Sequence, residues 1–249
     1  MNRHVAIVGA TGGIGGALAR QLASAGYQLS LAARDRSRLD PLVAELGAHG
    51  ALVDATQSGE VDRFLEEATD RWGRLDGVVN AAGSLLLKPA HTTGDAEWAS
   101  VLATNLTSSF HVLRAAVRIM MRGDGGSIVL MASAVAIRGM IHHEAIAAAK
   151  AGVVGLAKSA AATYARHRIR VNCVAPGLTR TPLTAALTRH EASLKASVAL
   201  HPLGRIGEAD EVAGAIRWFL SSEQSWVTGQ VLAVDGGLSS IQPRPTLGT

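Results

Sequence analysis

Four closely spaced glycines offer the first piece of chemistry. In Gly9-Ala10-Thr11-Gly12-Gly13-Ile14-Gly15 they close an apolar run and precede an amphipathic one. A turn of this composition lets the backbone fold tightly and approach an anion. The helix that opens after it presents free N–H groups and a partial positive charge to the same anion. The implied task is to cradle a pyrophosphate, with Gly9, Thr11, Gly13, Ile14 and Gly15 as candidate contacts. Placement between a first strand and a first helix gives the motif its weight. A second position is Arg34, which follows Ala32-Ala33. An acid at the end of a second strand would hold both ribose hydroxyls of NAD. Ala33 takes that place, and the Arg34 guanidinium can pair with a phosphate. NADP(H) is therefore favoured, with NAD(H) possible. Asp35 suits the N-cap of the next helix better than a ribose.

The elements that must position these residues are legible in the apolar pattern. Strands are expected at His4–Gly9, Gln28–Ala33, Ala51–Asp54, Gly77–Asn80, Ser127–Met131, Ile169–Ala175 and Gln230–Val234. Helices are expected at Gly13–Ala25, Ser37–Leu46, Val61–Trp72, Leu102–Met121, Ala145–Ala165 and Ala209–Leu220. Near-continuous apolar strands alternating with helices imply a parallel sheet buried on both faces. The expected fold class is α/β: a Rossmann fold with a doubly wound, seven-stranded parallel sheet and helices on both faces. With no repeat, linker or composition break, residues 1–249 read as a single domain. The tail from Gln242 to Thr249, with Pro243 and Pro245, is expected to fray or to lie on a partner.

Composition narrows the function classes. The chain is 48% hydrophobic but only 4% aromatic, so aliphatic residues must build the core. Its 24 basic and 20 acidic residues leave a dispersed excess of +4, which gives no nucleic-acid footprint. Cys173 is the only cysteine, which excludes an internal disulfide. No cluster of acids and histidines has metal-ligand spacing, so no metal is expected. The uncharged apolar-rich stretch Gly125 to Ile137 is too short to span a bilayer as a helix. No cationic segment followed by an apolar run opens the chain. A cytoplasmic protein with neither membrane nor nucleic-acid partners is expected.

Further motifs follow in order. They are the G-x-x-x-G-x-G spacing of Gly9, Gly13 and Gly15; Asp54; Asn80-Ala81-Ala82-Gly83; and Thr104-Asn105-Leu106. Then come Ser133 with Lys150 17 residues on (150 − 133), Pro176-Gly177-Leu178-Thr179-Arg180-Thr181, Val227-Thr228-Gly229 and Val234-Asp235-Gly236-Gly237. Over Met1 to Ser240 this series resembles the short-chain dehydrogenase/reductase family. One local departure is Val8, where that family usually has Thr. The resemblance implies that Asp54 contacts the adenine and that Asn80, Ala81 and Gly83 support the sheet and line the adenosine side. It implies that Pro176, Gly177, Thr179 and Thr181 hold the nicotinamide amide and a phosphate. Lys150 would hold the nicotinamide ribose, Ser133 would bond the substrate oxygen and Asn105 would anchor a proton relay.

The resemblance also implies a tyrosine acid four residues before the lysine, and that position is Ile146. The chain's two tyrosines, Tyr27 and Tyr164, cannot replace it; Tyr164 lies 14 residues beyond Lys150. Isoleucine neither donates a proton nor bonds an oxyanion. Three readings stay open. The chain is an NADP(H)-dependent oxidoreductase with another proton source, such as His142, His143 or bound water. Or it is a non-redox enzyme, an isomerase or lyase, using the same pocket with Ser133 polarising a carbonyl. Or it is a nucleotide-binding or partner subunit, in a hetero-oligomer with an active relative. A lid is expected from Thr181 to His201, with Leu85, Leu86, Leu87, Met140 and Ile141 as apolar walls. They suit an apolar or acyl-like small molecule with a carbonyl. The resemblance implies a tetramer or dimer. A homo-oligomer is expected; the Leu113, Ala116, Val117 and Met120 stripe fits either an interface or sheet packing, and Trp218, Phe219 and Trp226 offer a second candidate surface.

Overall fold

Residues 3–242 are described by a computed structural model of the protein. Strand β1 (His4–Val8) is buried along its whole length, so side chains from both of its faces need a cover. Val5 and Ile7 meet helices α1 (Gly13–Ser24), α2 (Arg36–Leu46) and α9 (Ala209–Leu220). Ala6 and Val8 meet α3 (Ser58–Trp72), α5 (Ser108–Met120) and α6 (Glu144–Tyr164). This alternation is the period-2 geometry of a strand. The other strands repeat it: β2 (Gln28–Ala33), β3 (His49–Leu52), β4 (Gly77–Asn80), β5 (Gly126–Met131), β6 (Ile169–Pro176) and β9 (Val231–Val234). Together they form one seven-stranded parallel sheet, in the order β3-β2-β1-β4-β5-β6-β9. The order reverses direction at β1, between β2 and β4. In such sheets ligands bind beyond the carboxyl ends of the strands at that point.

Several boundaries differ from the sequence expectation. The third strand pairs as His49–Leu52 with Ser30–Ala33. Asp54 thereby leaves the ladder, and its carboxylate accepts from the N–H and hydroxyl of Thr56. The expected helix Leu102–Met121 is in fact α4 (Asp95–Leu102), a π-helical turn at Ala103–Thr107, and α5. A short parallel pair, β7 (Thr179–Arg180) with β8 (Gly207–Glu208), was not anticipated; it is too short to carry a pattern. Leu113, Ala116, Val117 and Met120 are buried against the sheet, so of the two roles the stripe fits, sheet packing is the one observed. Phe219 is likewise core, whereas Trp218 and Trp226 are exposed. Of the expected tail, all but Gln242 lies outside the described residues.

Helix α6 and its 3₁₀ extension, Glu144–His167, are long and apolar enough to cross a membrane by length and composition. A search for uncharged runs passes over this helix because Lys150 and Lys158 interrupt it. Here Val153, Ala157 and Ala161 are buried against the sheet. At the opposite end of the sheet from the site, buried His4 bonds the Arg74 carbonyl and the Ser30 hydroxyl at 2.7 and 3.0 Å. Burial holds its pKa below the ordinary 6.5.

Candidate functional site

Two adjoining cavities, of about 360 and 350 Å³, lie over the carboxyl ends of β1, β4, β5 and β6. They share the walls Gly12, Gly13 and Ala81–Gly83, so they form one cleft. At its centre stands the glycine turn. Gly9 has φ +81°, and a Cβ there would lie 2.5 Å from the Ala82 nitrogen. A Cβ on Gly13 would lie 2.7 Å from Thr181 Cγ2. Helix α1 starts after Gly12 with no side chain capping its first turn, so its N-terminal amides are left for a ligand.

Gly9, Thr11, Arg34 and Asp54 line the first cavity. Asp35 accepts from the N–H and hydroxyl of Ser37 at 2.9 and 2.7 Å, so it caps α2. Arg38, which the sequence reading did not single out, lines the same wall and donates to the Thr11 carbonyl at 2.5 Å. Its spacing of four from Arg34 was the available signal. The two guanidiniums face a cavity in which Asp54 is the one carboxylate not used as a cap. This end suits a phosphorylated ribose.

The second cavity holds Ile14, Gly15, Asn105, Ser133, His143, Ile146, Lys150, Pro176, Gly177, Thr179 and Thr181. Ser133 caps the 3₁₀ turn Ala134–Ala136, which aims its hydroxyl over the end of β5. Asn105 is fully buried in the π-turn. It accepts from the Ser84 N–H and donates to the Ser84 hydroxyl and the Val101 carbonyl, at 3.2, 2.9 and 3.0 Å. Lys150 is 7% exposed, and its Nζ donates to the Met131 carbonyl at 2.8 Å. Desolvation lowers its pKa to about 8. Cys173, buried nearby on β6, is pushed up to about 12 and stays a thiol. Ile146 is 3% exposed and packs with Val101, Ala145 and Ala149 while bordering the cavity.

Two expected residues do not reach the cleft. Helix α6 begins only at Glu144, and His142 has φ +61°. The left-handed turn takes His142 off the helical face, and the cavity is not lined by it. Only its carbonyl is engaged, accepting from the Lys88 N–H. His143, the N-cap residue, does line the mouth, with Nδ1 2.6 Å from the Ile141 carbonyl. Asn80 is a buried strut. Its amide donates to Ser108 and Ser109, and its Oδ1 accepts from the Ala82 N–H. Ala81 and Gly83, held by that strut, form the wall in its stead.

Apolar side chains complete the second cavity, among them Leu85, Leu87, Met140, Leu183 and Leu187. Leu86 turns instead into the Ile146 cluster, and Ile141 projects into solvent. The segment expected as a lid comprises α7 (Ala185–Arg189) and α8 (Glu191–Leu200), neither of which has a buried residue. Thr184 Oγ1 ties its start to the Thr179 carbonyl. His201, also missed in sequence, ties its end: Nε2 accepts from the Leu178 N–H and Nδ1 donates to the Ser197 carbonyl. A lone histidine after a lid carries no pattern that singles it out.

A family model described as enoyl-(acyl carrier protein) reductase matches residues 9–239. A solved short-chain type dehydrogenase/reductase from Mycobacterium ulcerans superposes with a TM-score of 0.93 at 33% identity, covering 96% of this chain and 90% of its own. The chain belongs to the short-chain dehydrogenase/reductase family. The 3-oxoacyl-[acyl-carrier-protein] reductase of Homo sapiens is 38% identical over 247 residues, covering 97% of this chain and 100% of its own. A variant actinorhodin polyketide ketoreductase with NADPH has a TM-score of 0.92 at 30% identity, covering 96% of this chain and 98% of its own. Ser133, Lys150, Asn105 and Ile146 line one cavity.

Proposed function

We propose that this chain is an NADP(H)-dependent oxidoreductase that interconverts a carbonyl and a hydroxyl on an apolar, acyl-type substrate, without a tyrosine acid. One observation carries the reading. A continuous cleft runs from Arg34 and Arg38, past the uncapped N-terminus of α1, to Ser133 and Lys150. Its two ends suit the two ends of a dinucleotide, and the glycine turn leaves the width a pyrophosphate needs. When bound, the nicotinamide supplies or takes up a hydride. Lys150 has N–H groups beyond the one given to Met131, and these suit a ribose hydroxyl. Ser133 donates to the substrate oxygen. The apolar walls and the lid exclude water and admit an acyl chain. The names of the human and polyketide relatives support a carbonyl in an acyl chain. Exposed Phe110 and Met121 on or next to α5, together with Trp218 and Trp226, supply apolar surface for a homo-oligomer.

Calorimetric titration tests the nucleotide assignment. The protein is expected to bind NADPH at least tenfold more tightly than NADH, and Arg34→Ala to cost on the order of tenfold for NADPH alone. Equal binding of both nucleotides, unmoved by Arg34→Ala, would remove the 2′-phosphate assignment. The observation at Ile146 favours a second reading, a nucleotide-binding subunit without turnover beside an active relative. That reading keeps the binding result and predicts no turnover from this chain alone.

A further inference from the structure

Reduction of a carbonyl needs a proton at the oxygen, and few groups of the second cavity can give one near neutral pH. Among the described residues its titratable side chains are His143, Lys150 and His201, and no carboxylate, phenol or thiol of those residues lines it. His201 is spent on the main chain at both ring nitrogens. His143 sits at the mouth, with Nδ1 committed to Ile141. Lys150 lies inside. It shares the cavity wall with Ser133, and a Cβ on Gly83 would fall 3.7 Å from its Nζ. Of its three N–H groups, one goes to Met131, which leaves two for whatever the cavity binds.

We infer that Lys150 is the group that exchanges the proton with the substrate oxygen, in place of the phenol this chain lacks. The inference rests on the oxidoreductase reading above. In the reducing direction the hydride from the reduced nicotinamide bonds to the carbonyl carbon. The π pair of the carbonyl moves onto oxygen, and oxygen takes a proton from Nζ, leaving a neutral amine that water reprotonates. In the oxidising direction the neutral amine removes the hydroxyl proton as hydride leaves for the oxidised nicotinamide. Ser133 holds the oxygen in both directions. The surroundings suit the task. From β5 Lys150 meets a carbonyl, from the π-turn the neutral Asn105, and from β6 the un-ionised Cys173. No facing anion holds the proton on it, and burial sets the pKa to about 8. A donor with a pKa close to the working pH both carries and releases its proton.

The test compares a titration with a rate. The chain has four lysines, Lys88, Lys150, Lys158 and Lys195, so ¹³Cε-lysine spectra of the whole protein are simple. The Lys150 signal is identified by its loss in Lys150→Arg or, should that variant not fold, by elimination with Lys88→Arg, Lys158→Arg and Lys195→Arg. Its midpoint is expected at about 8. The kcat for reduction should decline above that midpoint, and the kcat for oxidation below it. Lys150→Arg should lower kcat by about 100-fold or more while keeping NADPH affinity within about tenfold. A rate limb that does not coincide with the Lys150 titration overturns the inference alone. So does a limb that vanishes in His143→Gln while the Lys150 signal is unmoved. Failure of the unaltered protein to bind NADPH overturns the oxidoreductase reading and this inference with it.

Discussion

Ile146→Tyr is expected to raise the kcat for carbonyl reduction by about 100-fold or more, the usual worth of a positioned general acid. Ile146 lies four residues before Lys150 on α6, about one helical turn, so the two side chains share a face. It already borders the cavity that holds Ser133. A ring built on the same Cα can therefore extend into that cavity rather than into the Val101–Ala149 cluster. Forced into the cluster, it would cost about 1–3 kcal/mol of stability by overpacking; directed into the cavity of about 350 Å³, it costs little. The phenol would take over the proton, so the alkaline limb of the rate should move away from the Lys150 titration. Steady-state rates with NADPH, beside a thermal melt, give the result. An intact fold with no gain would show that substrate does not place its oxygen against this helical face.

Gly9→Ala should abolish measurable nucleotide binding and destabilise the fold, by contrast with Gly26→Ala. Both glycines have φ +81°. A left-handed conformation costs alanine about 1–2 kcal/mol at either position. They differ in what the methyl group meets. At Gly26 nothing lies within 4 Å, whereas at Gly9 the new Cβ would fall 2.5 Å from the Ala82 nitrogen and 2.7 Å from the Ala81 carbonyl carbon. Those are backbone atoms at the end of β4, held by the Asn80 strut, and they cannot turn aside. Either β4 moves away from the turn or the turn opens, and both destroy the cradle. Urea unfolding and calorimetry should show binding within about twofold of the unaltered protein for Gly26→Ala and none for Gly9→Ala. Unchanged NADPH affinity in Gly9→Ala would mean that the pyrophosphate does not sit on this turn.

The sheet and the cradle were legible because they depend on short-range rules. Runs such as Gln28–Ala33 and Gly77–Asn80 are uncharged and mostly apolar, and both strands occupy those residues. The glycine spacing is legible as a local motif, although the contacts that demand Gly9 and Gly13, with Ala82 and Thr181, are distant in sequence. What the sequence concealed depends on tertiary geometry. The π-turn at Ala103–Thr107 has no compositional mark, yet it buries Asn105 against Ser84. His142 and His143 are chemically identical in the sequence. Only the left-handed backbone at His142 separates the one lining the cavity from the one outside it. Asn80 and Ala81 are neighbours on one motif, and the alternation of a strand end sends one side chain inward and exposes the other to the cleft. Leu113, Ala116, Val117 and Met120 form a stripe that fits an interface or a sheet equally well, and the α5 packing chose the sheet. Arg38 and His201 escaped notice because the main-chain partners that place them, Thr11 and Leu178, are distant in sequence.

The decisive measurement is NADPH consumption by the unaltered protein presented alone with 3-oxoacyl thioesters of increasing chain length. Slow but saturable turnover is expected, faster with longer acyl chains until the cavity is filled, lost in Lys150→Arg and raised in Ile146→Tyr. Tight NADPH binding with no turnover on any chain length, and none gained in Ile146→Tyr, would contradict the oxidoreductase reading and leave a nucleotide-binding subunit.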